Sequence, residues 1–110
     1  MNLWFVSRMI EIFYSGEARK DLRSILDYIH FDLGNPKAAR GTLNKIVKDI
    51  EKLSYFPLSG ASLDAVTDFE SDFRYIATCN YLVFYRLDEN KIHIDRIISG
   101  KRDYIRVLFG

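Results

Sequence analysis

Alternating hydrophobic positions occur near the N-terminus and throughout the last third of the chain. Residues 9–15, MIEIFYS, alternate such that one face is richer in apolar side chains, which predicts a first strand with one face more buried than the other. Three further segments are typical of strands: FRYIAT (73–78), YLVFYRL (81–87) and IHIDRIIS (92–99). Only CN and DENK separate them, and such short connections predict hairpins. The last three strands are therefore expected to form an antiparallel meander.

Between the first strand and the meander, the hydrophobic period lengthens to three or four residues, which predicts two helices. Ser15 is positioned to cap the first helix and Gly34 to end it. Asn35 and Pro36 then supply a second N-cap and a first-turn proline, so the two helices form a tight hairpin. The first stripe comprises Ala18, Leu22, Ile25, Leu26, Ile29 and Leu33, and the second comprises Ala39, Leu43, Ile46, Val47, Ile50 and Leu53.

The order of these elements predicts an α+β fold. Residues 57–72 combine turn residues and acids without a period, so they are interpreted as a loop, and RDYIRVLF follows the last strand as a short segment. The expected architecture is an N-terminal strand and an antiparallel helix hairpin packed on one face of an antiparallel sheet that contains the three-strand meander. The other face is expected to be solvated or to form a cleft.

Composition indicates a single globular domain over residues 1–110. The chain is 48% hydrophobic, enough for a core, and it contains no repeat, linker or low-complexity tract. Cys79 is its only cysteine, which excludes an internal disulfide and suits a reducing cytosol. The apolar stretch before Arg8 is too short for a signal peptide or a spanning helix, so a cytoplasmic protein without a membrane partner is expected. Residues 1–8 are interpreted as a possible N-terminal extension.

The charged residues are unevenly distributed, although the formal net charge is only +1. Residues 64–72 contain four acidic residues and no Lys or Arg, whereas residues 96–110 contain four cations and one acid. Cations on neighbouring strands can converge on one sheet face and bind an anion such as phosphate. Alternatively, they can pair with the acids of residues 64–72 or keep an open face soluble. The cations concerned are Arg74, Arg86, Arg96, Lys101, Arg102 and Arg106.

No metal or cofactor site is expected from the sequence. His30, His93 and Cys79 lie far apart and lack the spacing of zinc ligands. Gly100–Lys101 has neither the upstream glycine nor the following Ser or Thr of a phosphate-binding loop. His93 alternates with strand isoleucines, and it could transfer protons only if it faced a cleft.

Several segments in the same order resemble the RelE/ParE superfamily, the toxins of bacterial type II toxin–antitoxin modules. The resemblance is carried by FRYIATCNYLVFYRLDENKIHIDRIISGKRDYIRVLF and, upstream, by EARKDLRSILDYI, GNPKAAR and FPLSG. It covers about residues 9–109. The resemblance implies a small toxin that a cognate, small acidic antitoxin neutralises.

The superfamily contains two activities, and the resemblance alone leaves both open. RelE-like members cleave mRNA on the ribosome without a metal, and ParE-like members poison DNA gyrase. Carried over by position, the resemblance gives catalytic roles to Arg74, Arg102 and Tyr104. The expected substrate-binding residues are Arg86, Arg96, Lys101 and Arg106.

Two departures from the ribonuclease pattern favour a gyrase inhibitor. Leu82 stands where RelE-like enzymes have an active-site Arg, and Ser99 stands where many relatives have His. Conversely, Tyr104 and the pair Lys101–Arg102 match the ribonuclease segment more closely. The sequence therefore favours a ribosome-dependent mRNA endoribonuclease, with a gyrase inhibitor or a non-toxic interaction protein of the same fold as alternatives.

Overall fold

A computed structural model describes residues 10–63 and 72–109, apart from the side chain of Tyr104. Residues 1–8, the Met9 end of the predicted first strand and most of the acidic stretch 64–72 therefore lie outside the described residues. The strands are β1 (Glu11–Tyr14), β2 (Ala61–Ser62), β3 (Arg74–Thr78), β4 (Tyr81–Asp88) and β5 (Lys91–Ser99). The α-helices are α1 (Gly16–Asp27), α2 (Pro36–Glu51) and α3 (Tyr104–Phe109). A π-helical turn, Tyr28–Asp32, extends α1, and a 3-10 turn, Lys52–Ser54, extends α2.

The five strands form one sheet in the order β1-β5-β4-β3-β2. The meander is confirmed, because β3 pairs antiparallel with β4 and β4 pairs antiparallel with β5. The sheet is mixed instead of fully antiparallel, since β1 lies parallel to β5. The two-residue strand β2 lies within the predicted loop 57–72 and pairs with β3, and it is too short to show a period in the sequence.

The helical hairpin begins and turns at the residues that the sequence indicates. The Ser15 hydroxyl accepts the Ala18 N–H at 2.9 Å, and the Asn35 side-chain oxygen accepts the Ala38 N–H at 3.0 Å. Gly34 adopts a positive φ of 63°, a backbone conformation that glycine adopts more readily than other residues. Leu33 departs from the predicted stripe and is 58% exposed, because the π-helical turn adds a residue and rotates it away from the core.

The main core lies between the helical hairpin and one face of the sheet. Its helix side includes Ala18, Ile46 and Ile50, all fully buried. The facing strand residues include Val83, Tyr85, Ile92, Ile94 and Ile97. No helix among residues 10–63 and 72–109 is long and apolar enough to cross a membrane.

The opposite face of the sheet is partly covered by α3, a covering that the sequence analysis did not include. Ile105, Val107 and Leu108 pack against a second cluster that contains buried Phe84 and Ile98. The segment RDYIRVLF is thus a packing element, whose apolar residues share one side of a short helix. Residues before α3 must cross the end of the sheet, which positions the basic residues that follow β5.

Candidate functional site

The turn after β5 is fixed by hydrogen bonds to its own residues and to the β3–β4 turn. The Gly100 N–H donates to the Asn80 carbonyl at 3.0 Å, and the Arg102 N–H donates to the Ser99 carbonyl at 3.0 Å. The Lys101 N–H donates to the Ser99 hydroxyl at 3.3 Å. The side chains of Lys101 and Arg102 are nevertheless exposed. The backbone is therefore preorganised while both cations remain accessible.

Two cavities adjoin this turn at the end of the sheet. One, of about 650 Å³, is lined by Tyr28, Tyr81, Ser99 and Lys101 among others. The second, of about 360 Å³, is also lined by Tyr28, Tyr81 and Ser99, together with Arg102. We call these two cavities the tyrosine cleft. Burial, with smaller contributions from Cys79 and Tyr28, raises the pKa of the Tyr81 phenol above its usual value of 10.0.

Arg74 lies on the helical-hairpin face and belongs to a network that fixes the loop before β2. Its Nη1 donates to the Gly60 carbonyl at 2.9 Å. The buried Tyr85 hydroxyl, opposite Arg74 in the ladder, donates to the Pro57 carbonyl at 2.8 Å and accepts the Gly60 N–H at 3.0 Å. A Cβ on Gly60 would approach the Tyr75 carbonyl oxygen to 2.8 Å, so only glycine fits there. The predicted catalytic role of Arg74 remains a prediction, and its contact in this structure is with the loop backbone.

Arg86 forms a two-pronged ion pair beside an irregularity in the sheet. The register of β4 and β5 shifts so that Asp95 is left without a ladder partner. The Asp95 carboxylate accepts from Arg86 Nε at 2.7 Å and from Nη2 at 3.2 Å. The guanidinium also lies 5.7 Å from the centre of the Phe73 ring. The hydrogen bonds that Arg86 donates to Asp95 raise the pKa of Arg86, although burial acts in the opposite direction.

β1 pairs with residues 91–94 of β5, so the same edge of β5 is not covered by β1 beyond residue 94. At this edge, Arg96 is held by Asp21 of α1. Arg96 Nε and Nη2 donate to the two Asp21 oxygens at 2.7 and 2.9 Å. The same carboxylate accepts the Ile97 N–H at 2.9 Å, which closes the strand edge. The hydrogen bonds that Arg96 donates to Asp21 raise the pKa of Arg96, while burial opposes this shift.

The predicted cations therefore fall into two groups. The side chains of Lys101, Arg102 and Arg106 are exposed, and we call residues 101–106 the basic segment. None of these three cations takes part in an ion pair among the described residues. Arg74 and Arg86 lie toward the opposite end of the sheet from this segment. Arg96, in contrast, is held by Asp21, which lines the smaller cavity together with Arg102. Asp103 precedes α3 and accepts the Arg106 and Val107 N–H groups, so its backbone and side chain start that helix. The predicted role of Tyr104 concerns a side chain outside the described part.

Leu82 and Ser99, the two departures from the ribonuclease pattern, occupy different environments. Leu82 packs against the second cluster under α3 and also lines the larger cavity. Ser99 is half-buried in the wall of the tyrosine cleft. His93 lines a separate cavity of about 370 Å³ with Arg86 and Asp88, and its Nε2 lies 3.9 Å from an Asp88 oxygen. Within residues 10–63 and 72–109, no three His, Cys, Asp or Glu side chains group as a metal site would require.

Three residues that shape the site were not identified from the sequence. Tyr28 and Tyr81 line the tyrosine cleft, and Asp21 holds Arg96. The sequence did contain a signal for Asp21. This acid lies three residues after Ala18 and four before Ile25, so it occupies a position of the apolar stripe of the first helix, where an acid is unexpected. No comparable signal marks the tyrosines, since their proximity depends on how the end of α1 meets the sheet.

A family model described as the ParE toxin of the type II toxin–antitoxin system, parDE, matches residues 12–104. This match spans most of the chain, so the protein belongs to that toxin family, and the predicted resemblance to the RelE/ParE superfamily is confirmed. No curated protein sequence matches the chain significantly.

Two solved structures with a similar fold also come from toxin–antitoxin systems. The chromosomal ParDE system of P. aeruginosa aligns with a TM-score of 0.68 and 22% identity, covering 84% of this chain and 97% of that one. The DinJ–YafQ toxin–antitoxin complex of E. coli aligns with a TM-score of 0.50 and 18% identity, covering 93% and 99%. At these identities the likeness establishes the fold, and the chain is a type II toxin of the ParE/RelE fold.

Proposed function

We propose that this toxin inhibits DNA gyrase by binding to it and that it has no ribonuclease activity. The observation that carries this proposal is that the strand arginines make contacts within the chain and that Arg74 lies at the far end of β3 from the turn that carries Arg102. Arg74 is held on the Gly60 carbonyl, Arg86 on Asp95 and Arg96 on Asp21. The carboxylates of Asp95 and Asp21 neutralise the charge of Arg86 and Arg96, which weakens the attraction of these two arginines for a phosphate.

Metal-free RNA cleavage needs a base, a positive charge and a proton donor around a single phosphate. Arg74 pairs across the ladder with Tyr85, on the side of the helical hairpin, whereas α3 covers the opposite face. Arg74 and Thr78 are also the two ends of β3. With the usual rise per residue of a strand, their backbones lie about 13 Å apart. The turn that carries Arg102 lies at the Thr78 end of β3, because the Gly100 N–H of this turn donates to the carbonyl of Asn80. This arrangement does not favour a shared phosphate site.

The family match supports the same function. The matching family is that of the ParE toxins, and the ParE-like branch is the one that the sequence resemblance associates with gyrase. Leu82 adds to this support, because an apolar side chain packed under α3 cannot replace the active-site Arg expected of a ribonuclease. The basic segment then serves as a contact surface for a macromolecular target.

The mRNA endoribonuclease remains the second candidate, and the basic segment is the observation that favours it. Lys101 and Arg102 are exposed and fixed on a turn, as a phosphate-contacting pair would need to be. In this alternative Arg102 contacts the scissile phosphate, Tyr104 is the nearby aromatic, and the ribosome and mRNA are the partners.

Expression of the chain without antitoxin separates the two candidates. We would measure plasmid supercoiling and map mRNA 5′ ends in the same cells, and then assay purified gyrase with the purified chain. The gyrase proposal predicts loss of negative supercoiling with unchanged mRNA ends. New mRNA ends with unchanged supercoiling would instead establish the ribonuclease.

A cognate antitoxin is supported as a partner by the two similar structures, both of which come from toxin–antitoxin systems. We further propose that this antitoxin is small and acidic, that it covers the basic segment and that both proteins act in the cytoplasm. Residues 1–110 would act as one toxin domain. No cofactor enters the proposed activity, because inhibition by binding requires none.

A further inference from the structure

The loop that follows the 3-10 turn presents large apolar side chains to solvent from a fixed backbone. The Tyr85 hydroxyl donates to the Pro57 carbonyl at 2.8 Å and accepts the Gly60 N–H at 3.0 Å, which anchors the loop. The exposed side chains are Tyr55 (54%), Phe56 (67%) and Leu58 (61%). Together with Pro57 and Ser59 they line a recess of about 410 Å³. We call residues 55–59 the apolar surface.

A run of apolar residues is attached to the chain directly beside this surface. The run consists of Leu3, Trp4, Phe5 and Val6. These residues lie outside the described part, which begins at Ile10. The Ile10 N–H donates to the Ser54 carbonyl at 3.1 Å, and the Ser54 hydroxyl donates to the Ile10 carbonyl at 2.8 Å. Because Ser54 immediately precedes Tyr55, the point of attachment adjoins the apolar surface.

The connection is long enough for the run to reach the whole surface. Phe5 is five residues from Ile10, so it can lie up to about 17 Å away in an extended chain. Leu58 is four residues after Ser54 and is therefore at most about 14 Å from it. Attachment through so few residues makes the contact intramolecular, which raises the effective concentration of the run above that of a separate partner.

The pairing of β1 also directs the run toward this end of the molecule. Glu11 pairs with Lys91 at the start of β5, whereas the tyrosine cleft lies at Ser99, where β5 ends. Residues before β1 therefore leave the sheet at the end away from the cleft. Phe31 and Leu33 form a second exposed apolar pair at the turn of the helical hairpin. The 16 residues of α2, about 24 Å of helix, separate this pair from the apolar surface.

We propose that residues 3–6 of the same chain pack against the apolar surface, with an aromatic side chain of the run in its recess. A second copy of the chain fits less well. The three exposed side chains present about 300–400 Å² at the usual area of such side chains, whereas a stable dimer buries about 800 Å² of each partner. The inference goes beyond the proposed inhibition of gyrase and does not depend on it.

Trp4 is the only tryptophan of the chain, so its fluorescence reports directly on the proposed contact. In the full chain, Trp4 should emit at a shorter wavelength than in the urea-unfolded chain, and acrylamide should quench it less. Phe56→Ser/Leu58→Ser should return both quantities toward their unfolded values. The loss of two large apolar contacts lowers the ratio of docked to undocked run at least about tenfold.

Phe31→Ser/Leu33→Ser is the matched control, because it removes the same two residue types at similar exposure, 70% and 58%. This variant should leave the emission of Trp4 unchanged. Circular dichroism should show both variants folded, since all four side chains are exposed. The unmodified chain provides a test that needs no substitution: its NMR spectra should contain nuclear Overhauser effects between the Trp4 indole and the Leu58 methyl groups.

The proposal is overturned if Trp4 of the full chain emits and is quenched as in the unfolded chain, or if the Trp4–Leu58 Overhauser effects are absent. It also fails if the control variant shifts the emission as much as the loop variant does. A short-wavelength emission that is lost on dilution, together with dissociation of a dimer in analytical ultracentrifugation, would assign the surface to a second copy instead. These measurements contain no gyrase, so their outcome is independent of the supercoiling experiment.

Discussion

Asp21 stabilises the free edge of β5 by bonding a side chain and a backbone group at once. Its carboxylate accepts from the Arg96 guanidinium and from the Ile97 N–H, and both partners of the ion pair are largely buried. In Asp21→Ala, the guanidinium and the N–H lose this partner. We expect a loss of about 2–3 kcal/mol in the free energy of unfolding, measured by chemical denaturation.

A matched control for Asp21 is available on the same helix. Glu17 lies 3.7 Å from Lys20, and both side chains are mostly exposed. Glu17→Ala should change stability by less than about 0.5 kcal/mol, because exposed pairs contribute little. Equal effects of the two substitutions would show that the buried pair at the β5 edge has no special role.

Arg102 is the single residue on which toxicity is expected to depend most clearly. Its side chain is exposed on a turn whose fold depends on backbone hydrogen bonds, so Arg102→Ala should leave the unfolding midpoint nearly unchanged. The same substitution should abolish growth arrest when the chain is expressed without antitoxin. Arg40→Ala, which removes another exposed arginine, should remain toxic. Undiminished arrest by the Arg102 variant would remove this residue from the site.

At the level of helices and strands, the sequence pattern was sufficient to predict an element wherever a neighbouring element close in the chain buries one of its faces. The two caps, the helical stripes and the three hairpin strands follow directly from local periodicity and turn residues. The parallel pairing of β1 with β5 was missed because it joins segments about 80 residues apart, and no local signal encodes it. The π-helical turn that exposes Leu33 was missed for a similar reason, because the stripe predicts only a regular helix.

The two helical stripes are expected to contribute unequally to stability. Ile46 is fully buried between α2 and the sheet, whereas Leu22 of α1 is only half-buried. Ile46→Ala should therefore cost about 2–5 kcal/mol, and Leu22→Ala should fall at or below the lower end of that range. Urea denaturation of both variants measures the difference. A larger loss for Leu22→Ala would mean that α1 packs more tightly than its exposure indicates.

For the molecule as a whole, the sequence identified the basic segment but not the surface that surrounds it. Lys101, Arg102 and Arg106 are close in sequence and remain close in the structure. Whether the strand arginines converge with them or pair with acids was left open, because alternation and charge say nothing about which carboxylates lie nearby. Asp21 and Asp95 reach Arg96 and Arg86 only through tertiary packing, as Tyr28 reaches the end of β5.

The distribution of charge over the molecule also predicts how an antitoxin would bind. A largely disordered acidic partner can pair its carboxylates with the basic segment while it orders on the surface. We expect its C-terminal part to suffice for binding, and the affinity to fall as salt rises, since exposed charge pairs are screened over about 8–10 Å at physiological ionic strength.

Titration of that antitoxin fragment at low and high salt, together with hydrogen exchange of the toxin, tests this expectation. Residues 96–109 should gain protection in the complex, because the partner covers both the turn after β5 and α3. The loop that contains Tyr55, Phe56 and Leu58 provides the contrast, since these three side chains are 54%, 67% and 61% exposed and form an apolar surface with few charges. Protection confined to this loop, with an affinity that does not change with salt, would place the antitoxin on the apolar surface and leave the basic segment free for the target of the toxin.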